Sequence, residues 1–182
     1  MDNRFSAETD EELFARLSSP DGEAAFRALY GRHASRLYAY CIRILGNRDD
    51  AKDIFQETFI RMHHQSKTLR GPVRVAPFMY TIARNLCISQ LRGRKQTVQA
   101  ETAQLPAHDA PLEKAERARL VQRAVEALPF QYREPLILRE YDDFSYADIA
   151  QIMNIPIATV KVRIFRAKER MRSMLAPFIQ EA

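Results

Sequence analysis

Residues that build disulfide frameworks and metal centres are scarce in this sequence. It contains only two cysteines, Cys41 and Cys87, which lie far apart within apolar helical patterns, so we expect two small buried side chains and no disulfide framework. The adjacent pair His63 and His64 does not indicate a ligand set, because neighbouring residues on a helix point about 100° apart. We therefore predict no metal site and no cofactor. A reduced, cytoplasmic setting is the expected one.

Long apolar runs, strand patterns and catalytic motifs are also missing. No segment approaches the roughly 20 apolar residues that a membrane-spanning helix needs, so we predict no membrane insertion. The polar, acidic stretch 1–10 does not resemble a secretory signal. The absence of a glycine-rich phosphate loop and of a nucleophile elbow argues against an enzyme. Every strong periodicity is helical, which predicts an all-α fold.

Apolar periodicity predicts two small helical domains joined by a flexible linker. The first domain is residues 1–95 and the second is residues 114–182. Residues 96–113 lack apolar periodicity and contain Pro106 and Pro111, so we expect them to form the linker. The predicted helices before the last two lie at about 11–17, 23–45, 47–64, 77–92, 112–128 and 130–141.

Several details of these helices can be checked residue by residue. Gly46 is expected to end the second helix in the left-handed conformation. Pro135 has to lie near the first turn of its helix or kink it. The side chains expected to face inward are Phe78, Ile82 and Leu86 in the fourth helix, and Leu120, Val121, Ala124 and Leu128 in the fifth.

Charge is distributed unevenly along the chain. Residues 1–25 carry 2 basic and 7 acidic side chains, whereas residues 26–95 carry 14 basic and 4 acidic ones. The second concentration of positive charge is at 158–172, with six basic side chains and one acid. Two basic surfaces joined by a slightly acidic tether indicate two contacts with one polyanion. The alternative is a soluble protein with ordinary basic faces.

The helix predicted at 158–172 has one apolar and one basic side. Val162, Phe165 and Arg166 are expected on the basic side, opposite the apolar stripe. Such a face suits a groove that offers phosphates, base edges and thymine methyl groups, and the alternative is a solvated basic helix. The apolar stripe is formed by Val160, Ile164, Ala167 and Met171.

The segment before this helix favours the DNA-binding alternative. Ser145 and Asp148 have the spacing of a capping box, which predicts a short helix that begins there. Asn154 can adopt the left-handed conformation that ends a helix, and Pro156 fits the first turn of the next one. A helix, a short turn and a basic helix form the helix-turn-helix arrangement.

Four stretches of the chain resemble the extracytoplasmic-function (ECF) sigma factors of bacterial RNA polymerase. They are DDAKDIFQETFIRM at 49–62, FMYTIARNL at 78–86, LPFQYRE at 128–134 and FSYADIA at 144–150, the last continuing into 159–167. The likeness covers about residues 10–176. The resemblance implies a subunit that binds the polymerase core, melts promoter DNA and directs initiation in the cytoplasm without catalysis of its own.

The resemblance gives the first domain two contacts. On one polar side of the third helix, Asp53, Gln56, Glu57 and Arg61 form either a binding face or a solvated one. In the family this segment docks on a coiled coil of the largest polymerase subunit. The following loop and helix resemble the part that melts the minus-ten element and holds its single strand. The residues expected there are Lys67, Arg70, Arg74, Tyr80, Arg84, Asn85 and Arg92.

The last helix resembles the reader of the minus-thirty-five element in duplex DNA. Phe165 and Arg166 are expected to contact base or sugar edges, with Val162 beside them. Phosphate contacts, which set position but carry no sequence information, are expected from Thr159, Lys161 and Arg163. Family members commonly have an anti-sigma inhibitor, so we expect such a partner here.

The chain departs from the family pattern at a few positions. The common turn glycine is Asn154 here, and Ala158 and Val162 stand where glycine or serine is common. A tryptophan often found in the second stretch is absent, and Met79 lies nearby. Two other functions are weighed against a sigma factor. They are a free-standing helix-turn-helix regulator, which would not need residues 49–95, and a sigma mimic that sequesters an anti-sigma protein.

Overall fold

The computed structural model describes residues 7–69, 71–95 and 112–179, and within these ranges it has eight α-helices and no strand. The predicted all-α fold is confirmed. The chain divides into two units, residues 1–101 and residues 102–182. Most of the predicted linker, residues 96–111, lies outside the described ranges.

The first unit contains four helices around one apolar core. The second helix packs against the third, the third against the fourth, and the short first helix contacts both the second and the fourth. Fully buried side chains such as Leu29, Leu37 and Met79 fill the space between them. The helices are α1 (Asp10–Arg16), α2 (Gly22–Leu45), α3 (Arg48–Ser66) and α4 (Val75–Lys95).

Local sequence accounts for the turn between α2 and α3. Gly46 has φ 66°, and its backbone N–H donates to the carbonyl of Ile42, so the predicted left-handed cap is confirmed. The side chain of Asn47 then accepts hydrogen bonds from the backbone N–H groups of Asp49 and Asp50 at 2.9 and 3.0 Å. These two acids lie in the first turn of α3, where the helix dipole favours negative charge.

The buried surface of α4 is wider than the predicted stripe. Phe78 and Leu86, expected to face inward, are only half-buried, whereas Ile82 is buried. The helix contacts α1, α2 and α3, so side chains on more than one of its faces lose their access to solvent. The buried residues of α4 are Val75, Pro77, Met79, Tyr80, Ile82, Ala83 and Cys87.

The second unit contains the other four helices. The last of them contacts each of the three before it. Pro129 immediately precedes the second of these helices, and Pro135 lies buried inside it, beyond its first turn. The helices are α5 (Leu112–Glu126), α6 (Phe130–Glu140), α7 (Tyr146–Met153) and α8 (Ile157–Ile179).

Helices α7 and α8, together with the turn that joins them, form the predicted helix-turn-helix. Ser145 Oγ accepts from the backbone N–H of Asp148 at 3.1 Å, and Asp148 Oδ2 accepts from the backbone N–H of Ser145 at 3.2 Å. The predicted capping box is therefore confirmed. Asn154 has φ 52° and ends α7 as predicted. Because α8 begins at Ile157, Pro156 lies one position before the first turn in which it was expected.

Candidate nucleic-acid interface

The two sides of α8 differ as the sequence predicts, except that Met171, the last residue of the predicted stripe, is only half-buried. Val160, Ile164 and Ala167 are buried against the other helices of the unit, with exposures of 0, 3 and 0%. On the opposite side, Val162 is 49% exposed and Phe165 is 59% exposed. A helix with a filled inner stripe has no packing need for apolar side chains on its outer side. Their exposure therefore calls for an explanation outside the unit.

The six candidate residues of α8 lie close together on the surface. Lys161, Val162, Phe165 and Arg166 are exposed, and Thr159 and Arg163 are half-buried. Cationic and apolar groups alternate on this surface. They are complementary to the major groove of duplex DNA, which offers phosphates, base edges and thymine methyl groups. All the residues that the sequence assigned to minus-thirty-five recognition lie on this one helix, and each has access to solvent.

Tyr132 on α6 extends this surface in a way that the sequence did not predict. Its hydroxyl is hydrogen-bonded to Arg166, which lowers the pKa of Tyr132. The guanidinium carbon of Arg170 lies 5.1 Å from the centroid of the Tyr132 ring, within the range of a cation–π contact. Tyr132 therefore holds two basic side chains of α8. The contact joins different helices, so no local pattern could have revealed it.

Other basic side chains of this unit are engaged within the protein. Lys168 Nζ forms an ion pair with Glu140 Oε1 at 2.8 Å. Arg139 lies over the ring of Tyr146 with 5.1 Å between the guanidinium carbon and the ring centroid, and Arg139 also donates to the carbonyl of Phe144 at 2.9 Å. Lys161 approaches the same Tyr146 ring at 6.0 Å. The contact of Lys168 joins α8 to α6, that of Arg139 joins α6 to α7, and that of Lys161 joins α8 to α7.

In the first unit, the exposed side of α4 carries the candidates for single-strand contact. Asn85 and Arg92 are exposed, and Arg84 is half-buried. Tyr80 is different, because it is 2% exposed and its ring packs 5.0 Å from that of Tyr40. Tyr80 was expected to contact the single strand, and stacking on its ring does not fit this structure, because the contact between α2 and α4 encloses the ring.

The segment between α3 and α4 contributes two exposed cations. Lys67 and Arg74 are exposed at its two ends. Gly71 has φ 95°, a left-handed value that glycine adopts without strain. Arg70, the third candidate of this segment, lies outside the described residues.

The polar side of α3 is also accessible. Asp53, Gln56 and Arg61 are exposed, and Glu57 is half-buried and pairs with Arg61 at 2.7 Å. Ile60 lies on the same helix side and is 51% exposed, although the sequence analysis did not single it out. The signal for Ile60 is its spacing of three and four residues from Glu57 and Gln56. This face combines charged groups with one apolar side chain.

The described residues contain neither a candidate membrane-spanning helix nor a candidate metal centre. No helix within the described ranges is long and apolar enough to cross a membrane. The same residues contain no group of three or more His, Cys, Asp or Glu side chains that could hold a metal ion.

Comparison with known proteins gives matches to both units. The family description "Sigma-70 region 2" matches residues 29–97, and "Sigma-70, region 4" matches residues 118–171. The RNA polymerase sigma-H factor of Pseudomonas aeruginosa is 33% identical, over 98% of this chain and 100% of that protein. The ECF RNA polymerase sigma factor SigW of Bacillus subtilis is 32% identical, over 83% of this chain and 89% of that protein.

A solved structure supports the same relationship. The sigma factor RpoE from Bartonella quintana, crystallised with the anti-sigma factor NepR, has a TM-score of 0.72 and 27% sequence identity to this chain. The match covers 83% of this chain and 96% of that one.

Proposed function

This chain belongs to the ECF sigma factors, and from that membership we propose that it binds the RNA polymerase core and directs initiation at specific promoters, including promoter melting. The family consists of initiation factors without catalytic activity. The observation that carries the proposal is the exposed apolar and basic surface of α8 within the residues matched by region 4. The match to region 2 in the other unit supplies a second, separate contact region.

The outer side of α8 is the proposed reader of the minus-thirty-five element. Arg166 is suited to a bidentate contact with a guanine edge, and Phe165 to apolar contact with a thymine methyl group. Lys161 and Arg163 are suited to phosphate oxygens, which position the helix on the duplex. The exposed Val162 lies between Lys161 and Arg163 in the sequence, and the half-buried Thr159 precedes them near the start of α8. Because Thr159 is half-buried, we propose that it contacts the phosphate backbone and no base edge.

The first unit is the proposed site of minus-ten recognition and melting. Arg84, Asn85 and Arg92 lie along α4, and Lys67 and Arg74 lie at the ends of the segment before it. A row of cations of this kind can hold a single strand through its phosphates. The exposed amide of Asn85 can pair with a base edge or cap a backbone group. Stacking of unpaired bases needs an aromatic partner other than the buried Tyr80.

The polar side of α3 is the proposed docking site for a coiled coil in the largest polymerase subunit. Asp53 and Gln56 are free to form charge-assisted hydrogen bonds with a basic partner helix. Glu57 and Arg61 are paired with each other at the surface, and such pairs exchange partners at little cost. Ile60 adds an apolar contact to the centre of this face.

An anti-sigma protein is the third proposed partner, after the polymerase core and promoter DNA. The support is that the similar Bartonella quintana sigma factor was crystallised with an anti-sigma factor. Since polymerase and promoter DNA are the other proposed partners, we propose that this chain acts in the cytoplasm.

Run-off transcription tests the proposal directly. Purified core polymerase is combined with this protein and a library of promoter templates, and the start sites are sequenced. We expect initiation from a defined set of promoters, only when both components are present, and a steep decrease at higher salt. Tight, sequence-specific operator binding by the protein alone, with no effect of the polymerase, would favour a free-standing regulator. Binding of an anti-sigma protein with no initiation at all would favour a sigma mimic.

A further inference from the structure

The first helix, α1, lies before the residues matched by either family description, yet it is built into the first unit. Leu13 and Leu17 are buried, with exposures of 0 and 4%. Phe14 packs edge-on against Phe78 of α4, with 5.8 Å between the ring centroids. The helix has its own capping box, formed by Thr9 and Glu12. A short helix that is capped and packed in this way is a fixed part of the unit.

Two consecutive acids of α1 connect it to different helices. Asp10 Oδ1 forms an ion pair with Arg32 at 2.7 Å, and Asp10 Oδ2 is hydrogen-bonded to Nε2 of His33 at 2.6 Å, both on α2. Glu11 Oε1 accepts a hydrogen bond from the backbone N–H of Val75 at 3.3 Å, and Val75 is the first residue of α4. Adjacent side chains on α1 therefore hold the start of α4 at a set position relative to α2.

Glu11 supplies what the sequence around Val75 lacks. The first backbone N–H groups of any helix have no partner within that helix and are usually capped by a local side chain. The first turn of α4 contains no acidic residue. The carboxylate from α1 both accepts one of these N–H groups and places negative charge at the positive end of the helix dipole. The cap comes from a residue 64 positions away in the sequence.

The position of this cap connects it to promoter recognition. Val75 follows directly after Arg74, and α4 carries Arg84, Asn85 and Arg92 on its accessible side. Gly71 with φ 95° and Pro72 precede it, so the local chain has no helical structure of its own to fix where α4 begins. We propose that Glu11 is a positioning residue for minus-ten recognition, which caps α4 and thereby sets the placement of Arg74 and of the α4 side chains. This inference rests on the proposed function.

Three variants separate this role from a general effect on folding. Glu11→Ala removes the acceptor. Glu11→Gln keeps an acceptor oxygen and removes only the charge. Glu23→Ala is the matched control, because Glu23 also lies in the first turn of a helix of this unit but pairs with Arg27 at 2.7 Å on the exposed side of α2.

Each variant is assayed as holoenzyme on three templates chosen with the wild-type protein. One is an intact promoter, the second has a substituted minus-ten element, and the third has a substituted minus-thirty-five element. For Glu11→Ala we expect about fivefold less initiation from the intact promoter, the factor that corresponds to the loss of one helix cap. The ratio of initiation from the intact promoter to initiation from the template with the substituted minus-ten element should decrease. The corresponding ratio for the template with the substituted minus-thirty-five element should stay unchanged. Glu11→Gln should recover most of the loss, and Glu23→Ala should match the wild type.

Hydrogen exchange of the free protein gives a second readout that does not depend on polymerase. We expect the Val75 amide to exchange at least several-fold faster in Glu11→Ala, with little change at amides in the middle of α2. Equal losses on all three templates, or wild-type discrimination at the minus-ten element in Glu11→Ala, would overturn the positioning role. If the wild-type protein supports no initiation, the proposed function fails and the positioning role fails with it. The exchange of Val75 still reports in that case whether the cap exists.

Discussion

Truncation of two neighbouring residues of α8 should affect different properties of the protein. Truncation at Ile164 should lower stability, and truncation at Phe165 should affect promoter choice. Ile164 is 3% exposed and belongs to the inner stripe, whereas Phe165 is 59% exposed on the outer side. Truncating a buried isoleucine to alanine costs about 2–5 kcal/mol, because it removes apolar contacts and leaves a cavity. Truncating a surface side chain usually changes the free energy of unfolding by less than about 0.5 kcal/mol.

These values predict a clear separation of stability from promoter choice. For a domain of this size, 1 kcal/mol shifts Tm by about 4–8 °C, so Ile164→Ala should lower the Tm of the second unit by roughly 8 °C or more. The double variant Phe165→Ala with Arg166→Ala should melt within a few degrees of the wild type. A well-placed arginine contact with a base contributes about 1–3 kcal/mol of discrimination, so this variant should lose roughly 5- to 150-fold of its minus-thirty-five preference.

Calorimetry and run-off transcription measure the two effects on the same preparations. Polymerase binding, measured by co-elution with the core enzyme, should be unchanged in the double variant, because its altered residues lie far in sequence from the proposed docking site on α3. The reasoning fails if the double variant unfolds like Ile164→Ala, since the outer side would then be structural. It also fails if the double variant keeps full discrimination, since α8 would then not be the reader.

Two further predictions concern the first unit. Asp53→Lys combined with Glu57→Lys should prevent association with the polymerase core in a pull-down. The Tm should change by only a few degrees, because both side chains are accessible and Glu57 loses only a surface ion pair. Unchanged affinity for the core would show that α3 is not the docking site. Burial raises the pKa of Asp10, but the hydrogen bond and charge of Arg32 together with His33 outweigh it, so the pKa of Asp10 lies below its ordinary 3.8. A lowered carboxyl pKa stabilises the fold above the unfolded value and loses that effect as the pH falls through the folded value. Asp10→Asn should therefore be less stable than the wild type in urea at pH 7, and the difference should shrink below about pH 4; a constant difference would contradict the ion pairs.

Features that depend on residues close together in the chain could be predicted from sequence. The capping box of Ser145 and Asp148 and the left-handed Gly46 and Asn154 involve contacts within one or two turns. The inner side of α8 could be predicted because the spacing of its apolar residues follows the helical repeat. Physical chemistry of the local backbone sets these features, so the same residues produce them in many folds.

Features that depend on which helices meet could not be predicted in the same way. Val121 was expected to face inward, but it is 38% exposed and Val125 is buried instead, because the neighbours of α5 decide which of its valines is covered. Tyr80 is enclosed by Tyr40 of another helix, which no periodicity indicates. The contacts of Glu11 with Val75 and of Tyr132 with Arg166 join distant parts of the sequence for the same reason.

The phenol of Tyr132 has a consequence for how selectively the proposed surface of α8 binds DNA. A free arginine side chain samples many rotamers, and restricting them costs up to about 2 kcal/mol of conformational entropy. In this protein Arg166 interacts with the Tyr132 hydroxyl and lowers the pKa of that hydroxyl, so one partner of the guanidinium already lies within the unit. For the base contact that we propose for Arg166, this interaction predicts a smaller loss of side-chain freedom on binding a matching base, and therefore a gain in affinity from preorganisation. We expect a mismatched base to gain less, because the guanidinium would have to leave Tyr132 to reach an alternative acceptor.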